Sequence, residues 1–260
     1  MKDTDNTAGS RKIMIMGATS GIGLELTRCL AGKGWTVGAA GRRTEALDSL
    51  VRSYPGKVIP ARIDIGDPEA PAAMMALAAK MGGMDIYCHL AGTGYDNPSL
   101  DPSMEMLTVK TNVEGFTRMT GAAYRWMRDS NSGRGRIAAV TSVAGTDGIG
   151  MMASYSASKS YQQAYLRALD QLSRLEHQDI RVTDIRPGWI RTPLLDGQTA
   201  ARMEMTLPYA VKRIARAIIR GKRVAVIDWR WNLLVGLWRL VPHWLWVKLP
   251  VRARGLKKSL

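Results

Sequence analysis

The sequence predicts an α/β fold in which a parallel sheet is wound on both faces by helices, followed by an amphipathic helical tail. Three observations carry that reading. Short continuous apolar runs alternate with longer helical stretches through the first two-thirds of the chain, and strand–helix–strand–helix alternation is the pattern of a doubly wound sheet. A glycine-rich turn, Gly17 to Gly23, joins the first apolar run to the first helical stretch. The 260 residues suffice for one domain with a well-buried core and are short for two. No internal repeat or linker divides them.

Residues 12–16, 36–40, 58–62, 85–90, 136–141 and 181–185 read as strands, with a last one at 223–227. They are rich in Val, Ile, Met and Ala, and such unbroken apolar runs suit a parallel sheet buried on both faces. Between them, residues 22–31, 44–53, 68–81, 104–127 and 153–177 read as helices. Thr44 and Asp67 are the expected N-caps, and Pro68 fits a first helical position. The catalytic domain is expected to span 11–228 and the tail 229–260.

Composition excludes several classes. With 46% apolar residues the chain is globular rather than disordered. Cys29 and Cys88 stand far apart without a CxxC, which fits a reduced, cytoplasmic compartment and argues against a disulfide framework. His89, His177 and His243 have no ligand spacing, so no metal is expected. Residues 1–12 are polar and read as a frayed leader, not a signal peptide. No run of eighteen apolar residues is present to cross a membrane as a helix.

The net charge of +15 is uneven: residues 201–260 hold 14 Lys+Arg against 2 Asp+Glu, a net of +12, while the first 200 residues net only +3. A local anionic partner such as a membrane surface is favoured over a nucleic acid. Residues 229–248 contain five Trp and three Arg or Lys. Arg239 and Pro242 interrupt them. That mixture suits peripheral contact at a headgroup interface. The competing reading packs the same tryptophans on the domain or on a second subunit.

The turn Gly17-Ala18-Thr19-Ser20-Gly21-Ile22-Gly23 has the chemistry of a dinucleotide site. Its backbone must turn sharply and bring amides against a diphosphate, and the following helix N-terminus favours the negative charge. Tyr155 and Lys159 lie one helical turn apart and share a face. A free phenol titrates near ~10, and an adjacent ammonium is expected to lower that value and make it an acid–base group.

The GxxxGxG spacing, followed by Tyr155-Ser-Ala-Ser-Lys159, resembles the short-chain dehydrogenase/reductase family over about residues 11–227. Met16 stands where the family's loop has Thr. The resemblance implies a Rossmann-like fold that holds NAD(P)(H). Relatives that use NAD carry an acidic residue after the second strand; here Arg42 and Arg43 take its place. They can pair with a 2′-phosphate, which implies NADP(H). Thr19, Ser20, Gly21 and Ile22 belong to the phosphate loop, and Asp64 with Ile65 matches the adenine contact. Ala91 and Gly92 match the end of the family's NNAG, whose two Asn are replaced by His89 and Leu90. Pro187, Gly188, Ile190 and Thr192 match the segment before the nicotinamide.

The resemblance also implies a catalytic set of Asn112, Ser142, Tyr155 and Lys159. Ser142 holds the substrate oxygen, Tyr155 gives or takes its proton, and Lys159 holds the ribose. A relay through water joins Lys159 to Asn112. The substrate is a small-molecule carbonyl or alcohol. Segment 192–205 is expected to cover it, with Ile149, Met151 and Met152 as an apolar pocket wall. Relatives are commonly homo-oligomers. The rival readings are a non-catalytic NADPH-binding regulator, an epimerase of the extended relatives, and a membrane scaffold acting through the tail.

Overall fold

The computed structural model describes residues 11–192, 194 and 203–251. Seven parallel strands form one sheet in the order β3-β2-β1-β4-β5-β6-β7. They are β1 (Lys12–Met16), β2 (Thr36–Gly41), β3 (Val58–Arg62), β4 (Ile86–His89), β5 (Arg134–Val140), β6 (Asp179–Pro187) and β7 (Val224–Ile227). Strand order reverses between β1 and β4. Parallel sheets bind ligands outside the carboxyl ends of the strands at such a point. Register sets Met16 beside both Ala40 and His89, so the residues that follow β1, β2 and β4 emerge together.

The helices are α1 (Gly21–Ala31), α2 (Thr44–Ser53), α3 (Ala70–Lys80), α4 (Pro102–Val109), α5 (Phe116–Ser130), α6 (Ala153–Leu175), α7 (Leu207–Arg220), α8 (Trp229–Trp238) and α9 (His243–Trp246). Alternation along β1 shows why its run is apolar throughout. Ile13 and Ile15 face the layer of α1 and α7 with Leu26 and Ile214. Met14 and Met16 face the opposite layer with Met74, Phe116 and Met119. Both faces are covered, so neither set of side chains can be polar.

Three expectations are corrected. Helix α3 begins at Ala70 rather than Pro68. Asp67 makes a turn instead of a cap, its Oδ1 accepting from Glu69 N at 2.9 Å and its carbonyl from Ala70 N at 3.1 Å. Pro71 takes the first-turn position. Thr44 is the first residue of α2 and Arg43 its cap. The stretch 104–127 is not one regular helix: α4 starts at Pro102, capped by Asp101, and is joined to α5 by a π-helical turn, Lys110–Gly115. Such turns carry one extra residue and re-aim the side chains around them.

After β7, Asp228 caps α8 by accepting from Arg230 N at 3.0 Å. Trp231 and Val235 on α8 are buried in the core shared with α1 and α7, so α8 is packed onto the sheet domain. Among the described residues no helix is long and apolar enough to cross a membrane.

Candidate active site

The turn after β1 is shaped by glycine where the chain is crowded. Gly17 has φ +98°, and a Cβ there would lie 2.6 Å from Ala91 N. A Cβ on Gly23 would lie 2.1 Å from the Gly17 carbonyl oxygen. The loop therefore folds flat between β4 and the start of α1. Ser20 precedes α1 without using its side chain as a cap. Arg43 Nε donates to Thr19 Oγ1 at 3.4 Å, and Arg42 lies 4.0 Å from Asp64 Oδ2 with its guanidinium largely exposed. The ends of β1, β2 and β3 thus bring Thr19, Arg42, Arg43 and Asp64 to one rim of the loop. Ile65 is buried below it, in contact range of Gly115.

Ser142 follows β5, and its Oγ accepts from Ala144 N at 3.1 Å. Tyr155 and Lys159 project from the first turns of α6 and are 9% and 5% exposed. Asn112 sits in the π-helical turn with its side chain fully used. Its Nδ2 donates to the Thr93 carbonyl at 2.7 Å and Ser158 Oγ at 3.0 Å, and its Oδ1 accepts from Thr93 N at 2.9 Å. A Cβ on Gly92 would come 3.2 Å from that Oδ1 and 3.7 Å from Lys159 Nζ. The four catalytic candidates therefore converge, and Gly92 leaves the gap between them open.

The electrostatics differ from expectation at one point. The Tyr155 phenol is pushed up, not down: burial disfavours the phenolate, and a hydrogen bond with Ser142 opposes this only in part. Burial also lowers the Lys159 ammonium, to about 8, against the pull of Asp184. Asp184 is itself shared, accepting from Thr141 Oγ1 at 2.6 Å and from Arg186 Nε at 2.7 Å. His89, behind the loop, bonds Tyr87 at 2.8 Å. Burial, with Lys159 nearby, lowers it to about 3.

Over Ser142 and Tyr155 opens an apolar cavity of about 580 Å³. Ile22, Pro187, Gly188, Ile190 and Thr192 line it, as do Ile149 and Met152. Met151 does not; its carbonyl accepts from Asn97 N at 2.8 Å. Residues 193 and 195–202 of the expected covering segment lie outside the described residues. The roof comes from the tail. Trp231 lies against Gly188, where a Cβ would meet its indole at 2.1 Å. Trp238 and Trp246 stack with centroids 4.8 Å apart, and Trp246 Nε1 donates to the Gly148 carbonyl at 2.7 Å.

Sequence reasoning missed these roof residues, Trp189, and two glutamines. Gln162 bridges Lys159 and Asn112, and Gln163 Nε2 donates to the Ser142 carbonyl at 2.7 Å. The available signal was a polar pair, three and four residues after Lys159, on the helix face that should be buried.

The family model for short chain dehydrogenases matches residues 11–202. The chain belongs to the short-chain dehydrogenase family. An uncharacterized oxidoreductase of Mycobacterium tuberculosis is 30% identical over 246 residues, covering 90% of this chain and 95% of the relative. Dehydrogenase/reductase SDR family member 7B of Bos taurus is 29% identical, with 95% of this chain and 82% of that protein covered. The fold matches a Burkholderia cenocepacia short chain dehydrogenase solved in complex with NADP, with TM-score 0.75 at 21% identity, over 90% of this chain and 98% of the other. As a short-chain dehydrogenase, the protein has its glycine loop, Asn112, Ser142, Tyr155 and Lys159 within the matched span.

Proposed function

We propose that this short-chain dehydrogenase is an NADP(H)-dependent oxidoreductase that interconverts an apolar ketone or aldehyde and its alcohol. The observation that carries the reading is the convergence of Ser142, Tyr155 and Lys159 at the floor of the 580 Å³ apolar cavity. The residues fit a dinucleotide. Gly17, Gly23 and Gly92 keep backbone and space free where a Cβ would crowd its neighbours, Ser20 leaves the α1 amides to an anion, and Arg42 and Arg43 would pair with a 2′-phosphate. The NADP bound to the Burkholderia relative supports this choice.

When bound, NADPH supplies the hydride. The chain's residues supply the rest. Ser142 holds the substrate oxygen within reach of Tyr155. A phenol raised by burial is protonated at neutral pH, so Tyr155 is ready to donate as the alkoxide forms. Lys159 holds the ribose and stabilises the phenolate left behind, with Asn112 fixing the strand end and helix around them. In oxidation Tyr155 accepts the proton.

The apolar substrate rests on the cavity wall of Ile149, Met152, Trp189 and the tail's indoles. The tail is also read as a peripheral membrane contact of a cytoplasmic enzyme, at the inner face. Trp229, Leu240 and Trp244 point outward at 69%, 78% and 64% exposure, and residues 229–260 hold seven basic and no acidic side chains. A homo-oligomer is supported by exposed Met106, Val109, Tyr161 and Leu175 on α4 and α6. The test is NADPH and NADH consumption over a panel of carbonyls graded in length. Faster turnover with NADPH on bulky apolar members supports the reading; turnover of none of them rejects it.

A further inference from the structure

Lys159 is buried on a flexible four-carbon stem, and its position depends on what holds the ammonium. Two acceptors do so: the Val140 carbonyl at 3.2 Å and Gln162 Oε1 at 3.0 Å. Gln162 is 1% exposed and lies one turn further along α6. Its other end, Nε2, donates to the Asn112 main-chain carbonyl at 2.9 Å. Only one amide orientation serves both partners, because an ammonium can only donate and a carbonyl can only accept. The Gln162 amide therefore spans Lys159 and the backbone of the π-helical turn.

We infer that Gln162 is a positioning residue for proton transfer at Tyr155: its amide fixes the Lys159 ammonium relative to the Asn112 carbonyl. The inference rests on the proposed hydride-transfer reading. An amide is suited to this because it orients the ammonium without neutralising it. A carboxylate at the same point would offset the positive field at the phenol, and an aliphatic side chain would leave two buried polar groups without their partner. The groups facing this cluster are Tyr155 on α6, His89 on β4, and Asp184 with Arg186 on β6. Asp184 is already committed to Thr141 and Arg186, so Gln162 is the neutral member that holds Lys159 in place.

The test uses the full chain with Gln162→Glu and Gln162→Leu, each checked for folding by circular dichroism. The first readout needs no turnover. Tyr155 is titrated by its phenolate absorbance in the cofactor-free protein, with Tyr155→Phe subtracted. Gln162→Glu is expected to raise the Tyr155 midpoint by about one pH unit, because it places a negative charge in the same buried cluster as the phenol. The second readout is the pH profile of kcat. Its tyrosine limb should move in the same direction, and Gln162→Leu should lower kcat about tenfold or more. An unchanged Tyr155 midpoint in a folded Gln162→Glu protein overturns the inference, and that result stands even if Gln162→Leu fails to fold. Absence of carbonyl turnover in the wild type would instead count against the enzymatic reading and leave the titration result to decide the role of Gln162.

Discussion

At the scale of single residues, burial decides the behaviour of the polar groups. His89 is fully enclosed and keeps its neutral form down to about 3, against an ordinary value of 6.5. The unfolded chain therefore binds a proton that the folded chain refuses between those values, and stability falls as pH drops through 6.5. At pH 5 the loss should be about 2 kcal/mol relative to neutral pH. Replacing His89 with Asn removes this contribution, so urea unfolding at pH 7 and pH 5 should differ less in the variant by roughly that amount. An identical difference in both proteins would contradict it. The position of His89 was legible in the sequence; its titration was not, because burial arises from Phe116 and the layers around it. The same holds for Tyr155. Sequence spacing places Lys159 beside it, but the raised phenol follows from desolvation that only the packed cavity produces. Gln162 was illegible for a related reason: its partner Asn112 is fifty residues away.

At the scale of elements, the sequence places the strand ends to within one or two residues, since apolar runs and glycine turns bound them. The stretch 104–127 reads as one helix because its periodicity survives the π-helical turn, where Asn112 makes tertiary hydrogen bonds to Thr93 and Ser158. The contact between the turn after β6 and α8 is also invisible in the sequence, since Gly188 and Trp231 meet only through the fold. Gly188 has no room for a side chain against that indole. Gly188→Ala should cost about 1–3 kcal/mol by overpacking and shift Trp231 outward. Thermal unfolding and tryptophan fluorescence check this together. A variant as stable as the wild type, with unchanged emission, would mean that α8 is not braced at this point.

At the scale of the whole molecule, the charge asymmetry and the tryptophans of the tail are legible in the sequence, which favours interface contact over packing on the domain. The structure divides the tail by face. Trp231, Trp238 and Trp246 turn inward over the cavity, while Trp229, Leu240 and Trp244 remain outside. Truncation before α8 would remove the cavity roof, so point variants are the sharper probe of the proposed membrane contact. Combined replacement of Trp229, Leu240 and Trp244 by Ser should abolish binding to anionic vesicles at low salt while leaving turnover of a water-soluble carbonyl intact. Binding of the wild type should weaken with salt, since each basic residue near the surface contributes about 1 kcal/mol. No vesicle binding by the wild type would favour packing alone, and equal binding by the variant would rule out these three side chains as the contact.

The most direct test of the whole account is the Tyr155→Phe enzyme assayed beside the wild type with NADPH and the best carbonyl from the panel. The ring is retained, so the cavity and the cofactor site keep their shape while the proton donor is lost. The account predicts NADPH binding within about threefold of the wild type and turnover reduced at least a hundredfold, the scale of a lost general acid. Turnover at a tenth of the wild type or more would contradict it.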